Sequence, residues 1–313
     1  MRALILRRLL ISIPLVVVVS WLTFLLQQLA PGDTARAILG EHYTPEAYAQ
    51  LRHQLGLDQP LLVQYGHWLA HAVRGDLGVS SITGLDVGAE IGTRLGVTLS
   101  LIIATTVVAA VLGIALGTLS AVRGGAVGRA VDVLSLAGFA LPSFWLALVL
   151  VTLFAVVLRL LPATGYTPFA ESPGDWLRGL ILPVAALAVH GLAAVAKQTR
   201  NGLLDALGRD FVLSLRANGA SELSILLRHA LRNAAIPVVT VIGLVFVSLL
   251  NGTVLVEAVF AMPGLGGLAV QSTTQHDLPA IQAVAITFTL IVVAVNLLVD
   301  LAYGWLNPKV RVR

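Results

Sequence analysis

The sequence contains no cysteine, two methionines and only two lysines, Lys197 and Lys309. Without cysteine there is no disulfide framework, no thiolate metal site and no cysteine nucleophile. Neither lysine follows a glycine loop, so the G-x-x-x-x-G-K-[ST] phosphate cradle is missing and the chain does not hydrolyse ATP alone. Charge is scarce too: 12% of the 313 residues are Asp, Glu, Lys or Arg, against about 25% in soluble proteins. That supply cannot wet a globule of this size, which excludes an ordinary cytosolic enzyme. A hydrophobic content of 57% excludes a disordered chain. With a mean hydropathy of +0.90, the chain reads as one dissolved largely in lipid.

Six runs contain no Asp, Glu, Lys or Arg: Leu9 to Gly32, Leu95 to Val122, Val133 to Leu158, Gly179 to Ala196, Asn233 to Val256 and Leu278 to Val299. A helix needs about 20 residues to cross the hydrocarbon layer. Five runs exceed that; the fourth has 18 residues and holds Pro183 and His190. The runs are far too long for barrel strands, so six membrane-spanning helices are expected. The first is also too long for a signal-peptide core of about 7–15 residues, and is expected to remain in the protein.

Orientation follows from the basic residues. With six crossings, both termini and alternate loops share one side, which collects 14 of the 20 Lys and Arg residues. Eleven of the 16 acidic residues fall on the other side. The positive-inside rule then places both termini in the cytoplasm. The same partition accounts for a pI near 9.8 without nucleic acid as a partner.

The longest external segment runs from Pro31 to Arg94 and reads as helical pieces broken near Leu57-Asp58-Gln59-Pro60. His67 and His71 share a helical face at a spacing that suits a metal, but no third ligand is evident. An interfacial amphipathic helix with Trp68 at headgroup level is the preferred reading.

The basic segment Lys197 to Arg232 spans 36 residues, too many for a simple turn. Leu204, Leu207, Phe211 and Leu215 recur at helical spacing, as do Leu223, Leu226, Leu227, Ala230 and Leu231. Gly219 separates the two series and permits a positive φ, and Ser221 is placed to cap the second helix. Two short helices at a glycine corner form a knuckle suited to a cleft on another protein. A solvated loop that merely sets topology has no need of periodic leucines.

Asp210-Phe211-Val212, Arg216-Ala217-Asn218-Gly219, Leu227 through Ala234 and Ile236-Pro237 resemble the cytoplasmic EAA loop of binding-protein-dependent ABC importer permeases. The similarity is strongest to B-type permeases of the dipeptide, oligopeptide and nickel branch. It extends in order through Pro31-Gly32-Asp33, Leu57-Asp58-Gln59-Pro60, Gln64-Tyr65, Leu141-Pro142-Ser143-Phe144-Trp145 and Leu161-Pro162-Ala163-Thr164-Gly165-Tyr166. Val256-Glu257, Pro263-Gly264-Leu265-Gly266 and Asn296-Leu297-Leu298-Val299-Asp300 complete the series. Thr34, Leu215, Asn218, Gly267 and His276 depart from the branch's usual residues.

The resemblance implies an all-α, polytopic type I ABC importer transmembrane domain. It divides the chain into an N-terminal transmembrane helix (1–30), an extracytoplasmic segment (31–95), the transmembrane domain proper (96–305, with the EAA loop at 197–232) and a cytoplasmic tail (306–313). It implies a multi-pass inner-membrane subunit with no catalytic or metal site. The implied partners are membrane lipid, a second permease in a heterodimer, two cytoplasmic ATPases that carry ATP and Mg, and an extracytoplasmic substrate-binding protein.

Arg216, Ala217, Gly219, Leu223, Leu226, Leu227 and Arg228 are then the expected ATPase-coupling residues. Ser135, Ser143, His190, Ser248, Asn251 and Asn296 are candidates for the translocation path or for helix–helix hydrogen bonds, because polar groups avoid lipid. Glu257 is a candidate external gate or an interfacial charge. Gly113 and Gly117 form a G-x-x-x-G packing step. Short peptides are the default cargo of the branch, with nickel chelates, glutathione and haem as alternatives. An ion-coupled carrier would favour a charge deep inside a run, and there is none. An intramembrane enzyme would need a catalytic partner for His190 at a recognisable spacing.

Overall fold

The computed structural model describes residues 2–30 and 32–306. Pro31 and most of the expected tail, residues 307–313, lie outside the described residues. The described chain is almost wholly helical and folds as two compact units, one of residues 99–262 and 294–306, the other of residues 2–98 and 263–293.

Among the described residues, five helices are long and apolar enough to cross a membrane. They are α1 (Arg2–Leu29), α5 (Val87–Arg123), α8 (Pro173–Leu207), α11 (Leu231–Val259, entered without a break from Glu222) and α13 (Leu278–Leu306). The third charge-free run takes another form. It is split between α6 (Gly125–Ala140) and α7 (Ser143–Leu150, continued by π-type turns through Val157), and its two halves bend by 97°. Counted as one broken crossing, they make the sixth. Pro142 causes the break: it offers no N–H, and it pushes Leu141 into extended backbone at φ −88° and ψ 122°.

In the first unit, α8 is the central packing element and contacts α6, α7 and α11. It spans 35 residues because the charged residues flanking its apolar run, among them Asp175, Lys197 and Arg200, do not end a helix. Small residues set its packing distances. A Cβ placed on Gly113 would lie 2.7 Å from Cβ of Val195, and one on Gly117 would lie 2.7 Å from Cβ of Thr199 and would strike the Ala196 carbonyl. The G-x-x-x-G step is therefore a backbone-to-backbone seam between α5 and α8. Gly191 against Val245 and Gly202 against Ala234 repeat the device between α8 and α11.

In the second unit, α3 (Pro45–Gln54) and α4 (Leu61–Ala72) meet at the expected break. The Gln64 amide closes it by donating to the Gln59 carbonyl at 2.7 Å. Asp33 caps α2 (Thr34–Leu39) by accepting from the Arg36 N–H at 2.9 Å, and it also accepts from the Tyr48 hydroxyl at 2.8 Å. α4 is tied to α1 through Tyr65, whose hydroxyl lies 2.9 Å from Ser20 Oγ and whose ring meets Trp21 and Phe24 edge-on. The fully buried Val87 and Leu265 pack with Leu268, Ala280, Ala283 and Val284 to join α5, α12 (Leu265–Thr274) and α13. Asp277 pins the loop before α5 by accepting from Ser80 Oγ at 2.5 Å and the Ser81 N–H at 3.2 Å.

His67 and His71 gather no ligand set. His71 Nδ1 lies 3.0 Å from Asp76, and no group of three or more metal-ligating side chains occurs among the described residues. Trp68 is half-buried, its ring tilted over Tyr65.

Candidate functional site

The basic segment after the fourth charge-free run differs from two separate short helices. α8 continues through it to Leu207, and Gly208 ends the helix by donating its N–H to the Leu204 carbonyl at 3.1 Å. Leu204 and Leu207 therefore belong to α8, while Phe211 and Leu215 belong to a separate helix, α9 (Asp210–Ala217). The helical period ran across a break that it does not register. On α9 the buried residue is Val212, with Phe211 and Leu215 only half-buried and Leu213 exposed.

The corner after α9 forms where glycine was expected to place it. Gly219 has φ +75°, a conformation that costs other L-residues roughly 1–2 kcal/mol. Its N–H donates to the Arg216 carbonyl at 3.0 Å, and the Ala220 N–H donates to the Leu215 carbonyl at 3.0 Å. This pair of bonds is the Schellman termination, which satisfies carbonyls left over at the helix end. Ser221 then accepts from the Ser224 N–H at 3.3 Å and starts α10 (Glu222–Ser224). π-type turns over Ile225–Ala230 carry the chain into α11.

Arg216 clips this corner shut. Its Nε donates to one Glu222 oxygen at 2.7 Å and its terminal nitrogen to the other at 3.0 Å, a bidentate pair across the glycine. The paired carboxylate holds the guanidinium pKa above its ordinary value. Nothing in the sequence pattern marks Glu222 as a partner of Arg216. Six residues is not a helical pair spacing, so only the corner brings the two together.

The three leucines after the corner have different surroundings. Leu223 is 65% exposed and projects freely. Leu226 is half-buried against Leu203, Ala206, Ala230 and Ala234, the cluster that joins the end of α8 to the start of α11. Leu227 is exposed and lines a groove with Leu231 and Trp305. Ala217 and Arg228 are exposed.

The polar residues inside the spans divide into two sets. Ser135 is buried and Ser143 half-buried, whereas His190, Ser248, Asn251 and Asn296 are exposed on the isolated chain. Among the described residues no hydrogen bond joins any two of the six. Ser248 donates to the Val245 carbonyl of its own helix at 2.8 Å, and His190 meets the Phe139 ring edge-on at 4.8 Å. Glu257 is 1% exposed.

Comparison with known proteins places this geometry among relatives. Residues 109–312 match the family described as binding-protein-dependent transport system inner membrane component, and residues 1–102 match its N-terminal companion family. A putative peptide transport system permease protein of Brucella abortus is 42% identical over 312 residues, covering 99% of each chain. A probable peptide ABC transporter permease protein of Sinorhizobium fredii is 40% identical over 98% of each chain. A glutathione transport system permease protein of Salmonella typhi is 40% identical over the same share. Among solved structures, an inward-facing form of the MetNI methionine ABC transporter matches with TM-score 0.57 and 18% identity, covering 69% of this chain and 96% of that one. That last likeness is one of fold.

Proposed function

The chain belongs to the family of binding-protein-dependent transport system inner membrane components, and from that premise we propose that it forms half of a path for short peptides. It is a multi-pass permease subunit of an ABC importer. In this reading a second permease completes the path, two ATPases bind and hydrolyse ATP with Mg on the cytoplasmic side, and an external binding protein delivers the cargo. Both termini lie in the cytoplasm, in keeping with the distribution of arginines.

The observation that carries the mechanism is the Gly219 corner, a hydrogen-bonded turn whose two neighbouring helices present exposed apolar side chains. Leu223 and Leu227 dock into a cleft on the ATPase, with Ala217 at the contact and Arg228 at its polar edge. Gly219 sets the angle, Arg216 holds it through Glu222, and Leu226 anchors the corner to α8. Closure of the ATPase pair moves the corner, and the continuous helices α8 and α11 carry that movement into the membrane. Nucleotide shifts the inward–outward equilibrium only through its different affinity for the two states.

His190, Ser248, Asn251 and Asn296 face the path, where hydroxyl and amide groups suit the backbone of a passing peptide, and Ser135 and Ser143 support the helices behind them. Glu257 belongs to the external gate as a buried carboxylate. Peptide cargo is favoured by the names of the Brucella and Sinorhizobium relatives; the Salmonella relative makes glutathione, itself a short peptide, the second reading.

Gly219→Val tests the coupling. The variant is expected to insert and assemble normally while peptide uptake falls at least about tenfold, since positive φ is strained for a β-branched residue. Wild-type uptake by this variant overturns the mechanism. The cargo is tested by purifying the cognate binding protein and identifying its bound ligand by mass spectrometry; a nickel chelate or haem there overturns the peptide reading.

A further inference from the structure

The second unit carries a cavity of about 410 Å³ lined by Gly32, Asp33, Arg36, Ala37, Thr274 and His276. Gly32 closes the first charge-free run, and His276 stands two residues before the last one opens. With both termini in the cytoplasm, the cavity lies at the external membrane boundary. Its acid is already engaged. Asp33 accepts from the Arg36 N–H at 2.9 Å and the Tyr48 hydroxyl at 2.8 Å, and it lies 3.6 Å from Nε of Arg52. The Arg36 guanidinium makes no ion pair among the described residues and rests 5.6 Å over the Tyr43 ring. His276 is held at φ +54°, a conformation disfavoured for a residue with a Cβ. Its carbonyl accepts from the Thr34 hydroxyl at 2.5 Å, and its N–H donates to the Thr273 carbonyl at 3.3 Å. The imidazole lies on Gly32, where a Cβ would come within 3.2 Å of Nε2. Neither ring nitrogen makes a hydrogen bond among the described residues. Backbone strain of this kind collects at functional sites.

We propose, resting on the importer reading above, that Arg36 and His276 form a carboxylate site for an Asp or Glu side chain of the extracytoplasmic binding protein. Charge selects the ligand. An unpaired guanidinium is all donors and no acceptor, and its fork matches a carboxylate. A neutral imidazole adds one N–H of its own. The lining selects the source. Ala37 is the one apolar side chain in it among the described residues, so a lipid headgroup would find no bed for its acyl chains. The Tyr43 ring restrains the guanidinium before the partner arrives, which lowers the ordering cost of binding.

The test measures the affinity of the cognate binding protein for the assembled transporter in nanodiscs, over a range of salt. Arg36→Gln is expected to weaken binding about fivefold and to flatten its salt dependence, as loss of a rim charge does. Arg36→Lys, which keeps the charge without the fork, is expected to weaken it less. His276→Asn, which tolerates the positive φ, is expected to weaken it about twofold. Arg36→Glu is expected to be rescued by changing one acidic residue of the binding protein to Lys, which would not repair a folding defect. Failure of every such change to rescue binding overturns the proposal. Equal affinity and salt slope in wild type and Arg36→Gln overturn it and leave the importer reading intact, whereas a wild-type transporter that captures no binding protein overturns both. A loss confined to cargo-loaded binding protein also overturns it, because the cargo then supplies the carboxylate. So does an Arg36→Gln effect seen only in nanodiscs that contain phosphatidylglycerol, because a lipid headgroup then occupies the site.

Discussion

α1 and α8 are both long and apolar, yet only 11% of the most hydropathic stretch of α1 is buried within the protein, against 61% for α8. The more hydropathic of the two is the more exposed. In water that ordering would be inverted, because burial is driven by apolar area. In lipid there is no such drive, since acyl chains solvate leucine as well as another helix does. What distinguishes α8 is its small residues, which let neighbouring backbones come close, and its capacity to bury Pro183 and Thr199 among them. α1 instead presents Leu10, Ile13, Leu22, Leu26 and Leu29 outward and is fastened to α4 at Tyr65. Hydropathy thus reports that a segment crosses the membrane, and close-packing residues report where it stands in the protein.

The sharpest way to break this comparison is to enlarge a seam residue of the packed region. Gly117→Leu drives a side chain into the α8 backbone and is expected to cost about 3 kcal/mol or more, read as lost folded yield and a lower Tm in detergent. Leu26→Ala on the exposed face of α1 is expected to cost under about 0.5 kcal/mol in the same assay. Between these extremes lies the Tyr65–Ser20 tie between α4 and α1. Tyr65→Phe removes the hydroxyl paired with Ser20 and is expected to cost about 1 kcal/mol, seen as faster hydrogen exchange in α1 with α8 unchanged.

The smallest effect is a pH dependence at the α3–α4 break. His53 Nδ1 lies 2.7 Å from Asp58, and that hydrogen bond raises the His53 pKa above 6.5 and lowers the Asp58 pKa below 3.8. The histidine's contribution is fully present below its ordinary value and lost as pH rises through the raised one. The aspartate's is present above its ordinary value and lost as pH falls through the lowered one. Protection of residues 55–59, corrected for intrinsic exchange, is therefore expected to decline from mildly acidic to alkaline pH. His53→Asn is expected to abolish that decline.

Much of the architecture was readable from the distribution of charge. All six charge-free runs are helical over most of their length. The G-x-x-x-G seam, the Gly219 corner and the Ser221 cap also stand where the residues implied. Other features were hidden for physical reasons. Charge-free length does not distinguish a straight crossing from one bent at Leu141-Pro142, because both solvate equally well in lipid. A leucine period continues across Gly208 without marking the helix end there. The Arg216–Glu222 clip depends on a turn that must exist before the two residues become neighbours, and π-type turns at Ile225–Ala230 have no compositional signature. The exposed polar residues of the spans were found as residue types, but the face each presents depends on how small residues register α8 against α11.

The most direct test of the account is cross-linking from the corner. Leu223→Cys in the assembled transporter is expected to form a disulfide or bismaleimide link to an ATPase subunit, with a yield that changes when ATP is added. A cysteine at Leu62 on α4 is expected to form none. Failure of Leu223→Cys to reach any ATPase subunit, or its labelling by a membrane-impermeant thiol reagent applied outside the cell, would contradict the account.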